Sequence, residues 1–131
     1  MKRNDDIENL CRNLKANGAV IIAAHNQKYY NVYPACYGSV ISVTSPQFPD
    51  MLSQGEYIYI DDKNYKYNIL AYGGKTRLKW LNGNNIILDG VSFACPKVIV
   101  DLLNADIKQI DYDNAIELFK RKSRMIIKYK N

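Results

Sequence analysis

A chain of 131 residues is about one domain's worth, long enough for a hydrophobic core and short for a multi-domain enzyme. Its 47% apolar and 24% charged residues are ordinary for a globular protein and set aside the disordered and fibrous classes. Lys plus Arg is 18 against 13 Asp plus Glu, a formal charge of +5, and the odd, irregularly spaced Cys11, Cys36 and Cys95 with one histidine argue against a disulfide framework or a zinc site.

In chain order, Asp5 to Ala16 places Ile7, Leu10, Cys11 and Leu14 at helical spacing, with acidic residues early and Arg12 and Lys15 late, as the helix dipole favours. Asn17-Gly18 ends that helix. Ala19 to Ala24 is a continuous apolar run, too short for a buried helix and rich in β-branched residues, which predicts a parallel strand covered on both faces. His25, Asn26 and Gln27 then fall at the carboxyl end of that strand, where open α/β sheets place their sites. Gly55 to Leu70 alternates weakly and is tyrosine-rich, with Asp61-Asp62-Lys63-Asn64 as a turn, so a hairpin is expected there. Trp80 to Asn85 forms a further turn, and Ile86 to Leu88 lead into the stretch Asp89 to Val98.

That stretch carries the chemistry. Gly90 permits a sharp turn after the apolar run, and Ser92 falls at the start of an apolar helix whose first turn is expected to hold Pro96. A serine at a helix N-terminus has unpaired N–H groups and the positive end of the dipole beside it, which favours an oxyanion and suits acyl transfer. From Phe93 the spacing of Ala94, Val98, Val100, Leu102 and Leu103 predicts a largely buried helix, and Asn104 to Ile110 a connector. Asp111 or Asp113 caps a final helix with an apolar face of Ala115, Ile116, Leu118 and Phe119. The basic residues of the segment 120–131 read as a solvated tail.

Gly90, Ser92, Ala94 and Pro96 resemble the Gly-Thr-Ser-x-Ala-x-Pro nucleophile motif of the subtilisin-like serine proteases, with Val91 in place of threonine, Cys95 where serine is common and Lys97 in place of histidine. Ala23-Ala24-His25-Asn26 is similar to that family's Ala-Ala-Gly-Asn, Tyr33-Pro34-Ala35 and Val40-Ile41-Ser42-Val43 to its Tyr-Pro-Ala and following strand, and Ile69 to Gly73 to its strand ending in Ala-Pro-Gly. The resemblance covers about residues 5–122 in consistent order. It implies an α/β fold, a partial subtilisin-like domain with a mostly parallel sheet, flanking helices and a β-hairpin insertion. It further implies Ser92 as nucleophile and Asn26 as a side-chain donor to the oxyanion hole. The family's aspartate and histidine motifs, and the edge strand lining its cleft, lie upstream of the matched region and have no counterpart here.

A serine needs a positioned base. His25 is the only histidine, but it neighbours Asn26 on a strand end, so if Asn26 faces the nucleophile His25 faces away and bonds backbone or water. Cys95 as a thiol nucleophile stands at a packing position. The expectation is therefore a serine peptidase domain fragment, inactive alone, whose substrate if active is a peptide or protein, and whose open sheet edges recruit a second copy or a complementing chain. The alternatives are a non-catalytic protein-interaction module of the same fold, and a basic Tyr/Lys-rich nucleic-acid binder, although no zinc-finger, RNA-recognition or helix-turn-helix pattern accompanies the 11 tyrosines. No cofactor or metal is called for. No stretch is long enough to span a membrane and no signal peptide follows Met1, so the chain reads as soluble and cytoplasmic.

Overall fold

A computed structural model of the chain describes residues 2–128. The first helix, α1, spans Asp5–Ala16, with the Asn4 side chain accepting the N–H groups of Asp6 and Ile7 and Asn17 closing its end. Gly18, at φ +89, turns the chain into strand β1, Ile21–Ala24. A loop containing a cis Tyr33-Pro34 bond leads to β2, Val40–Thr44, whose five residues are all buried. Next come β3, Tyr57–Asp61, and β4, Ile69–Ala71. The strands β5, Thr76–Lys79, and β6, Asn85–Leu88, follow. Helix α2, Val91–Leu103, helix α3, Tyr112–Lys122, and strand β7, Ile126–Lys128, complete the described chain.

Five strands form one mixed sheet in the order β1-β2-β4-β3-β7, and β5 with β6 form a separate two-stranded sheet. Within the five-stranded sheet β1 pairs parallel with β2, β2 with β4 and β3 with β7, and β3 against β4 is antiparallel; β5 and β6 also pair antiparallel. The fold is thus mixed α/β with a mostly parallel sheet and flanking helices. The expected hairpin between Gly55 and Leu70 is β3–β4, with Tyr57 opposite Ala71.

Alternation along the strands sends side chains to two covered faces. On one, Ile41, Val43, Tyr57, Tyr59, Ile69 and Ala71 meet Ala94, Val98 and Leu102 of α2 and Ala115, Leu118 and Phe119 of α3. Phe119 sets its ring edge-on to Tyr57, with centroids 6.1 Å apart. On the other, Leu52, Ile58, Ile60 and Leu70 form one cluster, and Cys11 of α1 packs on Tyr37 and Val40 in a second.

Three expectations need correction. The run Ala19 to Ala24 is an edge strand, so β1 is half-buried along its length rather than fully covered. Pro96 lies inside α2 beyond its first turn; the helix begins at Val91, and the missing proline N–H leaves the Ser92 carbonyl without its usual partner. The basic segment 120–131 is not a solvated tail where it is described. Lys120, Arg121 and Lys122 form the last turn of α3, where cations suit the dipole. Ile126–Lys128 then pair with β3, because apolar Ile127 packs against the Leu52 cluster, and Lys120 and Lys128 both approach Asp61. Residues 129–131 of that segment lie outside the described residues.

Candidate functional site

β1, β2 and β4 run in the same direction, so their carboxyl ends lie along one edge of the sheet. Asn26 follows the end of β1, Ser45 the end of β2, and Tyr72 and Gly73 the end of β4. The head of α2 is brought to this edge by a backbone bond from Gly90 N–H to the Gly73 carbonyl at 2.8 Å. Gly90 adopts φ +120 and ψ 171, a conformation open essentially to glycine alone, and this sharp turn starts the helix immediately at Val91. Gly73 is equally constrained, because a Cβ there would stand 2.6 Å from Ser45 Cβ and 3.1 Å from the Gly90 carbonyl oxygen.

An open depression of about 410 Å³ at this edge is lined by Asn26, Gln27, Lys28, Thr44, Ser45, Pro46, Gln47 and Val91. Asn26 and the first residue of α2 thus share one concavity. Ser92 itself is exposed on the first turn and does not line that depression. No side-chain cap closes the helix, and the N–H groups of Val91 and Ser92 have no partner among the described residues. Asn26 is exposed; its Oδ1 accepts the Lys28 N–H at 3.0 Å, and its amide nitrogen has no partner among the described residues. Gln27 is fixed by donating from Nε2 to the Ser45 carbonyl at 3.0 Å. The edge therefore presents an exposed hydroxyl, unpaired helix N–H groups and a side-chain amide, with a positive helix end behind them.

His25 is on the other side of the sheet. Ile22 and Ala24 pack on the α2 face, so the next residue turns away, and His25 is 2% exposed with its ring 5.9 Å from that of Tyr67. Its backbone N–H donates to the Val43 carbonyl, and neither ring nitrogen has a protein partner among the described residues. Burial holds its pKa below the ordinary value. Cys95 is buried on α2 and burial raises its thiol pKa, the reverse of what a thiolate nucleophile needs. Ser92 and Asn26 are brought to one sheet edge, while the only imidazole, adjacent to Asn26 in sequence, is buried on the opposite face.

Lys97, which stands where the resembled motif has a histidine, has a definite place. Half-buried on α2, it donates from Nζ to Thr76 Oγ1 at 2.8 Å and sits 4.9 Å above the Tyr72 ring, and burial lowers its pKa. Its distance in sequence from Thr76 hid that bond. Among the described residues no cluster of three His, Cys, Asp or Glu side chains could hold a metal ion, and no helix is long and apolar enough to cross a membrane. No protein-family model matches the chain, and no curated protein is significantly similar to it.

Proposed function

We propose that this chain is a subtilisin-like serine peptidase domain fragment that keeps the nucleophile position at Ser92 and the oxyanion-donor position at Asn26 and lacks the base needed for turnover. The observation that carries this reading is the meeting of Asn26 and the head of α2 at the carboxyl edge of three parallel strands, held by the Gly73–Gly90 bond. Such an edge suits a tetrahedral adduct: the hydroxyl supplies the covalent oxygen, and the Asn26 amide with the free N–H groups of α2 stabilises the oxyanion. A peptide or protein is the substrate class that fits an exposed, open depression. Without a base, the loss is on the order of a millionfold in turnover, and oxyanion stabilisation leaves about a thousandfold over water.

Binding of a peptidyl boronate tests this reading, because boron accepts the serine oxygen without a leaving group to protonate. Saturable formation of a tetrahedral boron adduct that disappears in Ser92→Ala and weakens in Asn26→Ala is expected. Equal behaviour of all three proteins would refute it.

A second reading, a non-catalytic interaction module, is favoured by β1. This edge strand carries no charge and no proline, and on α1 beside it Leu10 is 56% exposed and Leu14 41%. A complementing chain or a second copy covers that edge in this reading. Light scattering across a concentration series decides the self-association arm, with Leu10→Glu expected to return an associated protein to monomer.

A further inference from the structure

The β5–β6 hairpin stands outside the main sheet, and its two faces differ in kind. Leu78, Ile86 and Leu88 are half-buried on the inner face beside buried Thr76, which Lys97 anchors. On the outer face Arg77 lies opposite Ile87 and Lys79 opposite Asn85. Arg77 and Lys79 are exposed, and neither has a carboxylate within ion-pair distance among the described residues. The segment Lys75 to Leu88 holds three cations and no acid.

The turn that closes the hairpin carries two exposed apolar side chains, Trp80 at 56% and Leu81 at 74%, beside Asn82, Gly83 and Asn84. Trp80 and Leu81 are held there by a tight turn in which Trp80 N–H donates to the Asn84 carbonyl at 2.7 Å and Asn82 takes φ 65, and Ile87, 59% exposed, lies further down the outer face opposite Arg77. Tryptophan with an aliphatic neighbour at a protruding tip, backed by unpaired cations, is the chemistry of an interfacial anchor: the indole settles at headgroup depth and the cations meet anionic headgroups.

We propose that the β5–β6 hairpin docks this protein on an anionic lipid bilayer, with Trp80 and Leu81 entering the interface and Arg77 and Lys79 pairing with headgroup charge. This goes beyond the peptidase reading and does not depend on it. The excess positive charge of the hairpin complements an anionic surface. The exposed Leu81 and Ile87 favour a lipid surface over a single-stranded nucleic acid, which would use ring stacking and leave aliphatic side chains in water.

Trp80 is the only tryptophan, so its fluorescence reports the tip directly. The 131-residue chain is titrated with mixed phosphatidylserine–phosphatidylcholine vesicles, with pure phosphatidylcholine vesicles and with a single-stranded oligonucleotide at equal salt. A blue shift and co-sedimentation with the phosphatidylserine vesicles are expected, falling with salt and absent or much weaker on phosphatidylcholine. The pair Arg77→Gln and Lys79→Gln, exposed and outside the core, is expected to weaken vesicle binding by about tenfold or more. Leu81→Ser, which keeps the probe, is expected to reduce the blue shift. No shift on anionic vesicles at low salt overturns the proposal. So does binding unchanged in both variants, which would place contact elsewhere, or tighter quenching of Trp80 by the oligonucleotide than by vesicles.

Discussion

Gly90 gives its backbone N–H to the carbonyl of Gly73, and this single bond joins the start of α2 to the end of β4. Ser45, at the end of β2, fills the space where a Gly73 side chain would be, so three segments distant in sequence meet within one small volume. Gly73→Ala therefore forces Ser45 or the Gly90 carbonyl to move. A loss of about 1–3 kcal/mol is expected from such overpacking, read as a lower midpoint in urea unfolding.

Gly90 is constrained by conformation instead of space. Nothing lies within 4 Å of a Cβ placed there, yet φ +120 disfavours any L side chain. Gly90→Ala is expected to cost about 1–3 kcal/mol through backbone strain alone. Thermal unfolding of both variants separates the causes: adding Ser45→Gly should restore stability to Gly73→Ala and leave Gly90→Ala unchanged.

Ser92 is exposed while the sheet stands between it and His25. The chain by itself is therefore expected to react with a fluorophosphonate probe no faster than Ser92→Ala does. Labelling that is rapid and vanishes in Ser92→Ala would mean that a base reaches the hydroxyl, and would overturn the reading of an inactive fragment.

His25 ties stability to pH. Its pKa in the folded protein lies below the ordinary value near 6.5 because burial disfavours the imidazolium. The unfolded chain then binds the proton more readily, so stability is fully present above about pH 7 and falls as pH drops through 6.5 toward the folded value. Urea midpoints measured across this range should fall more steeply for the wild type than for His25→Leu. Parallel curves would show that protonation of His25 is not what weakens the fold.

Asp111 caps α3 by accepting the Asn114 N–H at 2.9 Å. Asp111→Ala should cost about 1 kcal/mol, and Asp111→Ser should recover most of it. Calorimetric midpoints of the two variants measure this.

Much of the architecture can be read from local pattern. The spacing of Ile7, Leu10, Cys11 and Leu14 bounds α1 because the caps at Asn4 and Asn17 agree with the apolar stripe. Ile69 to Ala71 and Ile86 to Leu88 are apolar runs between turns, and both are strands. What escapes is set by contacts far apart in sequence. Thr76 to Lys79 alternates too briefly to announce β5, which exists because β6 pairs with it. Ile126–Lys128 sits among lysines, and only the exposed edge of β3 makes it a strand. At the site, the alternation of β1 places His25 and Asn26 on opposite faces, so their separation is legible. The bond between Gly73 and Gly90 is not, since neither glycine carries a side chain to signal a partner.

The parallel pairing of β7 with β3 also governs the order in which the molecule can assemble. β3 can zip to β4 as soon as the loop between them closes, but its far edge stays bare until α2 and α3 have been made and docked and residue 126 has arrived. Through that interval the Tyr57 carbonyl and the Tyr59 N–H, which bond Arg124 and Met125 in the finished fold, are left unpaired beside apolar surface, the state most open to mispairing with a neighbouring chain. Closing a contact this distant in sequence carries a large loop entropy, so β7 is expected to join the sheet late. Crowding during synthesis should then lower the yield more than it lowers the stability of the finished fold.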